Sequence, residues 1–155
     1  MLKALIIYFT RTGTTRKMAE SIAEGLQKET ISVDILTPEK VEVKKMVDYD
    51  LIVIGSPTYY GTMAAEIKKL IDESICLHGR LDGKIGGAFS SSANPAGGNE
   101  TTILSILSAL LIHGMVIKGM SEGSHYGPVA IGSFDARAEK ECLSYAKQLS
   151  DLFKP

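Results

Sequence analysis

The sequence lacks both an excess of positive charge and a long hydrophobic run. Its 155 residues include 17 Lys and Arg against 18 Asp and Glu, a formal net charge of −1. A chain with this balance of charges has no net positive potential that would attract the phosphates of a nucleic acid. The apolar run at the N-terminus is short and has no cleavage signature, and no later run reaches the roughly 20 residues that span a bilayer. We therefore expect a soluble, cytoplasmic protein that binds neither nucleic acid nor membrane.

Cysteine and histidine are also scarce. Cys76 and Cys142 lie far apart without metal-ligand spacing, and we predict that both are buried free thiols. His78, His113 and His125 are scattered and do not cluster with the cysteines or with carboxylates. No metal site is therefore expected.

The order of apolar segments predicts the fold class. A hydrophobic content of 45% without low-complexity tracts fits one compact domain over residues 1–155. Strand and helix patterns alternate about five times, which is typical of an α/β three-layer sandwich around a five-stranded parallel sheet. The predicted strands span residues 5–9, 31–36, 51–54, 84–90 and 115–117. The predicted helices span residues 15–28, 101–112 and 135–153, with another around 67–71 and a long loop at 119–133.

A loop rich in threonine follows the first predicted strand. This threonine loop consists of Thr10, Arg11, Thr12, Gly13, Thr14 and Thr15. A helix starting at Thr14 or Thr15 would aim unpaired backbone N–H groups at the loop, and the hydroxyls would add donors. The loop is therefore either a phosphate-binding site or an ordinary N-cap.

Two more polar loops follow the next buried strands. The tyrosine loop consists of Pro57, Thr58, Tyr59, Tyr60 and Gly61, and a third loop spans residues 91–99. Ligands of parallel sheets bind beyond the carboxyl ends of the strands, where all three loops should meet. Tyr59 and Tyr60 could stack on a flat heterocycle or fold back onto the core.

Two common nucleotide motifs are missing after the first strand. Neither G-x-x-x-x-G-K-[ST] nor G-x-G-x-x-G is present, which argues against a nucleoside triphosphate and a dinucleotide. A phosphate loop at one end and aromatic rings at the other favour a mononucleotide with a large ring.

The threonine loop resembles the T-x-T-G-x-T phosphate loop of the flavodoxins, which bind FMN. This resemblance implies the strand order 2-1-3-4-5. Other segments resemble the WrbA-like NAD(P)H:quinone oxidoreductases of the same superfamily, so that the resemblance covers essentially the whole chain. These segments are residues 55–63, 89–92, 97–102, 113–115 and 126–128.

The resemblance implies roles for particular residues. The threonine loop would hold the FMN phosphate, and the tyrosine loop would line the isoalloxazine ring. Backbone donors would wrap the pyrimidine side of the ring at Ser91, Ser92, Ala93, Asn94, Gly97 and Gly98. His113 would approach the flavin, within the chain or across a subunit interface; from the residues alone it is a histidine at a helix C-terminus. The flavin would supply the chemistry, so no catalytic side chain is nominated.

Some features depart from these families. The chain has no tryptophan, and residues 91–99 include no aromatic, so one face of the ring would be open. The near-neutral charge differs from the acidic surface of classical flavodoxins, and the chain is shorter than typical WrbA-like enzymes. Three hypotheses follow: an electron-transfer protein with a redox partner protein, a reductase using NAD(P)H and quinone, and a non-redox interaction module.

One predicted helix carries no charge on any face. Between Glu100 and Lys118 the sequence has no Asp, Glu, Lys or Arg. An uncharged helix surface indicates a subunit interface in a homo-oligomer, with simple burial as the alternative.

Overall fold

The computed structural model describes residues 1–154. Six strands are present in this part of the chain: β1 (Lys3–Tyr8), β2 (Ser32–Leu36), β3 (Leu51–Pro57), β4 (Ile85–Ser92), β5 (Val116–Ile117) and β6 (Val129–Ile131). The α-helices are α1 (Thr14–Lys28), α2 (Ala65–Glu73), α3 (Asn99–Ile112) and α4 (Ala136–Asp151). Short 3-10 helices span Pro38–Lys40, Val43–Asp48 and Ser74–Leu77.

The strands form one parallel sheet in the order β2-β1-β3-β4-β5, which confirms the predicted fold and strand order. The difference is a sixth strand within the predicted loop 119–133. β5 pairs with the start of β4 through Ile85 and Val116, whereas β6 pairs with its end through Ser90 and Val129. The edge position beside β4 is therefore shared by two short strands.

The centre of the sheet is buried on both faces because β1 and β3 carry uninterrupted apolar runs at residues 4–7 and 51–54. In β1, Ala4 and Ile6 face a core cluster formed with α1 and α4, whereas Leu5 and Ile7 face a cluster formed with α2 and α3. Alternate side chains of a strand point to opposite faces, so a continuous apolar run supplies both clusters.

Helix α3 is buried on one side only. Ile103, Ile106 and Leu110 are buried, whereas Leu111 and Ile112 are exposed by 57% and 72%. The uncharged stretch is thus not explained by complete burial.

The cysteine prediction is half wrong. Cys142 is a buried free thiol in α4, but Cys76 is exposed. Cys76 lies in the 3-10 helix Ser74–Leu77, where the neighbouring Ser74 and Leu77 face inward instead. No cluster of three metal-ligating side chains exists within residues 1–154. Over the same residues, no helix has the length and apolar character needed to cross a membrane.

Candidate functional site

The carboxyl ends of β1, β3 and β4 lie side by side at one edge of the sheet. Tyr8 pairs with Gly55, and Pro57 pairs with Ser91. The backbone N–H of Thr58 donates a hydrogen bond to the Ser91 carbonyl oxygen over 2.7 Å. The threonine loop and the tyrosine loop are therefore neighbours in space.

The threonine loop closes on itself without capping α1. Thr10 Oγ1 accepts a hydrogen bond from the Gly13 N–H at 3.0 Å. Gly13 is the N-cap residue, with a φ of 100° that residues with a side chain rarely adopt. No side chain of residues 1–154 caps α1, so the N–H groups of its first turn lack intrahelical partners and point toward the loop. The threonines thus do not form an ordinary side-chain cap.

Hydroxyl groups join the end of β4 to the beginning of α1 and to the tyrosine loop. Thr15 Oγ1 lies 3.0 Å from Ser91 Oγ, and Thr58 Oγ1 lies 3.0 Å from Ser90 Oγ. Ser91 and Ser92 belong to β4, whereas the sequence predicts a loop at these residues. Two polar residues can end a buried strand here because their hydroxyls find hydrogen-bond partners.

The tyrosine loop is a tight turn. The N–H of Tyr59 donates to the Thr62 carbonyl oxygen at 2.9 Å, and the N–H of Thr62 donates back at 3.2 Å. Tyr60 and Gly61, at the tip, have φ angles of 50° and 80°. Tyr60 is fully exposed, whereas Tyr59 is half-buried. Of the two rings, only that of Tyr59 lines the cavity described below, and the predicted role of Tyr60 stays a prediction.

The ring of Tyr59 contacts Phe9, which directly follows β1, and Arg11 of the threonine loop. Phe9 meets it edge-on, with ring centroids 6.5 Å apart. The Arg11 guanidinium carbon lies 4.9 Å from the centroid of the Tyr59 ring, a distance typical of a cation–π interaction. This contact links the side chains of the two loops.

Because β4 extends to Ser92, the third loop consists of residues 93–98. It is called the glycine loop below. Thr101 Oγ1, just beyond it, donates to the Gly61 carbonyl oxygen at 2.6 Å. A Cβ atom built on Gly98, whose φ is 95°, would lie 2.8 Å from Gly61 Cα. At its start, Ser92 Oγ donates to the Asn94 carbonyl oxygen at 2.9 Å. The glycine loop therefore packs against the tyrosine loop at a distance that only glycine permits.

A cavity of about 320 Å³ lies between these segments. Its lining residues are Thr10, Arg11, Thr12, Thr14, Thr15, Pro57, Thr58, Tyr59, Ser91, Ser92, Ala93 and Gly132. Arg11 is the only charged side chain in this lining. Gly132 is the one residue that the sequence does not suggest, because it directly follows β6, a strand of only three residues that shows no recognisable pattern.

The other predicted residues stand outside this cavity. Gly13, Tyr60 and Gly61 form the tips of the first two loops, and Asn94, Gly97 and Gly98 belong to the glycine loop. A Cβ atom on Gly97 would lie 2.7 Å from the Asn94 carbonyl oxygen. These residues shape the loops without lining the space between them.

His113 is not brought to the loops within the chain. It follows the last residue of α3, at the end of this helix opposite Gly98. It is buried, and its Nε2 lies 2.8 Å from Ser74 Oγ. Burial, reinforced by the nearby His78 ring, lowers the pKa of His113 below 6.5. Its predicted approach to a flavin across a subunit interface stays a prediction.

A second, larger cavity of about 490 Å³ lies on the other side of the glycine loop. Ala96 and Gly98 contribute to its wall, together with Ile103, Tyr126 and Arg137 from α3, the β5–β6 connection and α4. The sequence did not predict this cavity, because its walls come from segments far apart in the chain.

Comparisons with known proteins agree with this architecture. A sequence pattern that describes the flavodoxin domain matches residues 5–109. A flavodoxin of Aquifex aeolicus is 36% identical over 160 residues, covering 97% of this chain and 86% of the relative. A protein of Archaeoglobus fulgidus named NAD(P)H dehydrogenase (quinone) is 34% identical over 166 residues, covering 85% of this chain and 87% of the relative.

Solved structures show the same fold. A flavodoxin from the domain Archaea has a TM-score of 0.83 at 23% identity and covers 99% of this chain and 100% of its own. A WrbA-like flavodoxin from Agrobacterium tumefaciens has a TM-score of 0.81 at 22% identity and covers 98% and 97%. With the sequence match over residues 5–109 and relatives above 30% identity, this chain belongs to the flavodoxin family.

Proposed function

We propose that this protein binds FMN in the cavity between its threonine, tyrosine and glycine loops and acts in electron transfer with a redox partner protein. Family membership supports a flavin cofactor. The observation that best supports binding of the phosphate at this location is the uncapped start of α1. It faces a cavity with one cationic side chain and no carboxylate in its lining.

The donors at the threonine loop fit a phosphate group. A phosphate presents only acceptor oxygens and negative charge, so it needs N–H and O–H donors around it. The hydroxyls of Thr12 and Thr14, the Arg11 guanidinium and the first-turn N–H groups of α1 are such donors. No carboxylate in the lining would repel the anion. The phosphate would therefore be held by Thr10, Arg11, Thr12, Gly13, Thr14 and Thr15.

The remaining lining of the cavity fits a flat ring. Tyr59 offers an aromatic face, with Pro57 and Thr58 beside it. Ser91, Ser92 and Ala93 line the wall at the end of β4, and the rest of the glycine loop follows outside this lining. Because the glycine loop has no aromatic side chain, the second face of the ring would be open to solvent or to a reaction partner.

FMN, when bound, supplies the redox chemistry, since it accepts and releases one or two electrons. The protein side chains bind and orient it. Tyr59 would restrict the position of the ring, and Thr15 would keep α1 fixed to β4 through its bond to Ser91. No side chain is assigned as a nucleophile or as a general base.

A second candidate function is that of an FMN-dependent NAD(P)H:quinone oxidoreductase. The Archaeoglobus fulgidus relative carries this type of name, and the formal charge of −1 is weak for steering a basic protein partner. Oxidation of NADH or NADPH with a soluble quinone decides between the two. Turnover near the common enzyme range of about 10 per second favours the reductase, and no turnover favours the electron-transfer protein.

Binding itself is tested by absorbance. We expect the purified protein to show flavin absorbance, or to gain it on titration with FMN with saturation at one equivalent. A protein that takes up no FMN would contradict both redox functions and leave the non-redox interaction module.

We also propose that the exposed face of α3 is a contact between copies of this chain. Leu111 and Ile112 are exposed within the uncharged stretch, and a water-facing helix normally carries charge. Sedimentation analysis of the wild type and of Leu111→Glu tests this proposal. A monomeric wild type would contradict it.

A further inference from the structure

Arg11 is held by an aromatic ring rather than by a carboxylate. Its guanidinium carbon lies 4.9 Å from the centroid of the Tyr59 ring. Arg16 and Arg137 instead form ion pairs with Glu20 and Glu141, at 2.8 and 3.1 Å. Within residues 1–154, Arg11 forms no such ion pair. Its positive charge is therefore available to an anion that enters the cavity.

Tyr59 is fixed by other contacts and supplies the only aromatic side chain of the cavity lining. The edge-on contact with Phe9, at an interplanar angle of 80°, supports the ring from the side. The paired backbone hydrogen bonds with Thr62 hold its main chain. A flat ligand ring that stacks on the face covered by Arg11 must first displace the guanidinium.

We propose that Arg11 couples phosphate binding to ring stacking, so that a phosphate group draws the guanidinium away from Tyr59 and frees its face for the heterocycle. This inference rests on the proposed binding of FMN. The exchange is favourable because a guanidinium binds phosphate through two parallel hydrogen bonds, which are stronger than an exposed cation–π contact. Arg11 would thereby determine the specificity for phosphorylated over unphosphorylated flavins.

The coupling must be reciprocal, because the two binding events share one free energy. A flavin without phosphate has to displace the guanidinium without offering it a new partner. A flavin with phosphate displaces and rebinds the same group. FMN therefore gives Arg11 a new partner that riboflavin does not offer. Inorganic phosphate added with riboflavin should supply this partner separately and so promote the stacking of the riboflavin ring.

The test measures riboflavin affinity by quenching of flavin fluorescence, with inorganic phosphate or with sodium chloride at the same ionic strength. In the wild type, phosphate should tighten riboflavin binding about two- to fivefold, the factor that an exposed cation–π contact represents. In Arg11→Ala, riboflavin should bind about two- to fivefold more tightly than in the wild type without phosphate. Phosphate should then have no further effect, because the competing group is gone.

A second measurement compares FMN with riboflavin. The ratio of their dissociation constants should change about tenfold in Arg11→Ala in favour of riboflavin, because only FMN loses a charge-assisted bond. Arg16→Ala is the matched control, since Arg16 is a nearby arginine that is paired with Glu20, whereas Arg11 is the arginine that lies over the Tyr59 ring. Its ratio should change less than about twofold, as for an exposed charge screened by salt.

The outcomes separate this inference from the proposed function. If the wild type binds FMN but phosphate leaves its riboflavin affinity unchanged, the coupling is wrong and FMN binding stands. The same conclusion follows if Arg11→Ala and Arg16→Ala have equal effects on the ratio. If the wild type binds no FMN, the proposed function fails, and the coupling fails with it.

Discussion

The hydroxyl oxygen of Tyr145 accepts a hydrogen bond from the backbone N–H of Ala88 at 3.1 Å. Ala88 lies in β4 between the segment paired with β5, which ends at Gly86, and the segment paired with β6, which begins at Ser90. The side chain of α4 thus takes the place of the missing strand partner in this gap. Burial raises the pKa of Tyr145 to about 12, so the hydroxyl remains neutral in the physiological range.

Replacing Tyr145 by Phe should destabilise the fold. The change removes the acceptor and leaves a buried backbone N–H unpaired, which costs about 1–3 kcal/mol. Urea denaturation should show this loss in the free energy of unfolding. Tyr126→Phe is the control, because Tyr126 is exposed by 43% and should change stability by less than about 0.5 kcal/mol. Equal stabilities of the two variants would contradict the bridging role of Tyr145.

Replacing Gly98 by Ala should damage the ligand site and the fold together. The residue has a φ of 95°, and a Cβ atom would lie 2.8 Å from Gly61 Cα and 3.2 Å from Thr58 Cγ2. The glycine and tyrosine loops would have to separate, so we expect FMN affinity to fall by about tenfold or more, for a displacement on the order of 1 Å. Gly79→Ala is the matched control, because its φ is 78° and a Cβ atom there meets nothing within 4 Å. That variant should lose about 1 kcal/mol of stability but keep its FMN affinity, and a similar loss of affinity in both would contradict the packing argument.

Replacing Thr10 by Val should weaken the binding of FMN more than that of riboflavin. The hydroxyl accepts the Gly13 N–H at 3.0 Å and fixes the turn of the threonine loop. Its loss should cost about 1 kcal/mol in FMN binding, or about fivefold in affinity, since one neutral hydrogen bond is removed. Isothermal titration with both flavins measures the difference. Equal losses for FMN and riboflavin would contradict the assignment of this loop to the phosphate.

The elements that could be predicted from the sequence are those with a regular apolar pattern. Helix α1 was recognisable because Met18, Ile22 and Leu26 recur at helical spacing, and all three are buried. The uninterrupted run in β1 supplies both core clusters. Because such strands run parallel, the convergence of the loops at one edge followed from topology without knowledge of distances.

The remaining features depend on contacts between distant segments. Strand β6 has three residues, too few for a periodic pattern, and exists because β4 offers an unpaired edge. Ser91 and Ser92 were assigned to a loop because they are polar, yet Thr15 and Asn99 satisfy their hydroxyls at the end of a buried strand. The contact of Arg11 with Tyr59 likewise joins two separate loops. Local sequence patterns hold no information about such pairs.

The last prediction concerns the acid sensitivity of the fold at His113. Ser74 Oγ donates its hydrogen to the Ile71 carbonyl oxygen at 2.6 Å, so it accepts one from His113 Nε2 at 2.8 Å. Nδ1 is then the unprotonated nitrogen, and it is buried without a partner within residues 1–154. The small cavity beside the ring is lined mainly by apolar side chains, among them Ile54 and Leu110. A proton added to Nδ1 would thus be an unpaired positive charge.

This arrangement fixes the sign of the pH dependence. Burial, with a smaller contribution from His78, lowers the pKa of His113 below 6.5, so the unfolded chain takes up the proton first. The contribution of neutral His113 to the free energy of unfolding is therefore fully present above pH 6.5. It is lost as the pH falls from there toward the lowered pKa of His113 in the folded state. We expect the free energy of unfolding of the wild type to decrease over this window with a slope of up to about 1.4 kcal/mol per pH unit.

His113→Gln should reduce this slope whatever its effect on stability at neutral pH, because glutamine does not titrate. His125→Gln is the control: the His125 ring lies at the surface, with Nδ1 bonded to the Met120 carbonyl oxygen at 2.9 Å, and this variant should keep the wild-type slope. Urea denaturation at pH 7.5, 6.5 and 5.5 would measure all three proteins. An unchanged slope in His113→Gln would show that other groups carry the acid sensitivity. If sedimentation shows the proposed oligomer, FMN titration of His113→Gln under conditions where the variant is folded would test the predicted approach of His113 to the flavin across the subunit interface.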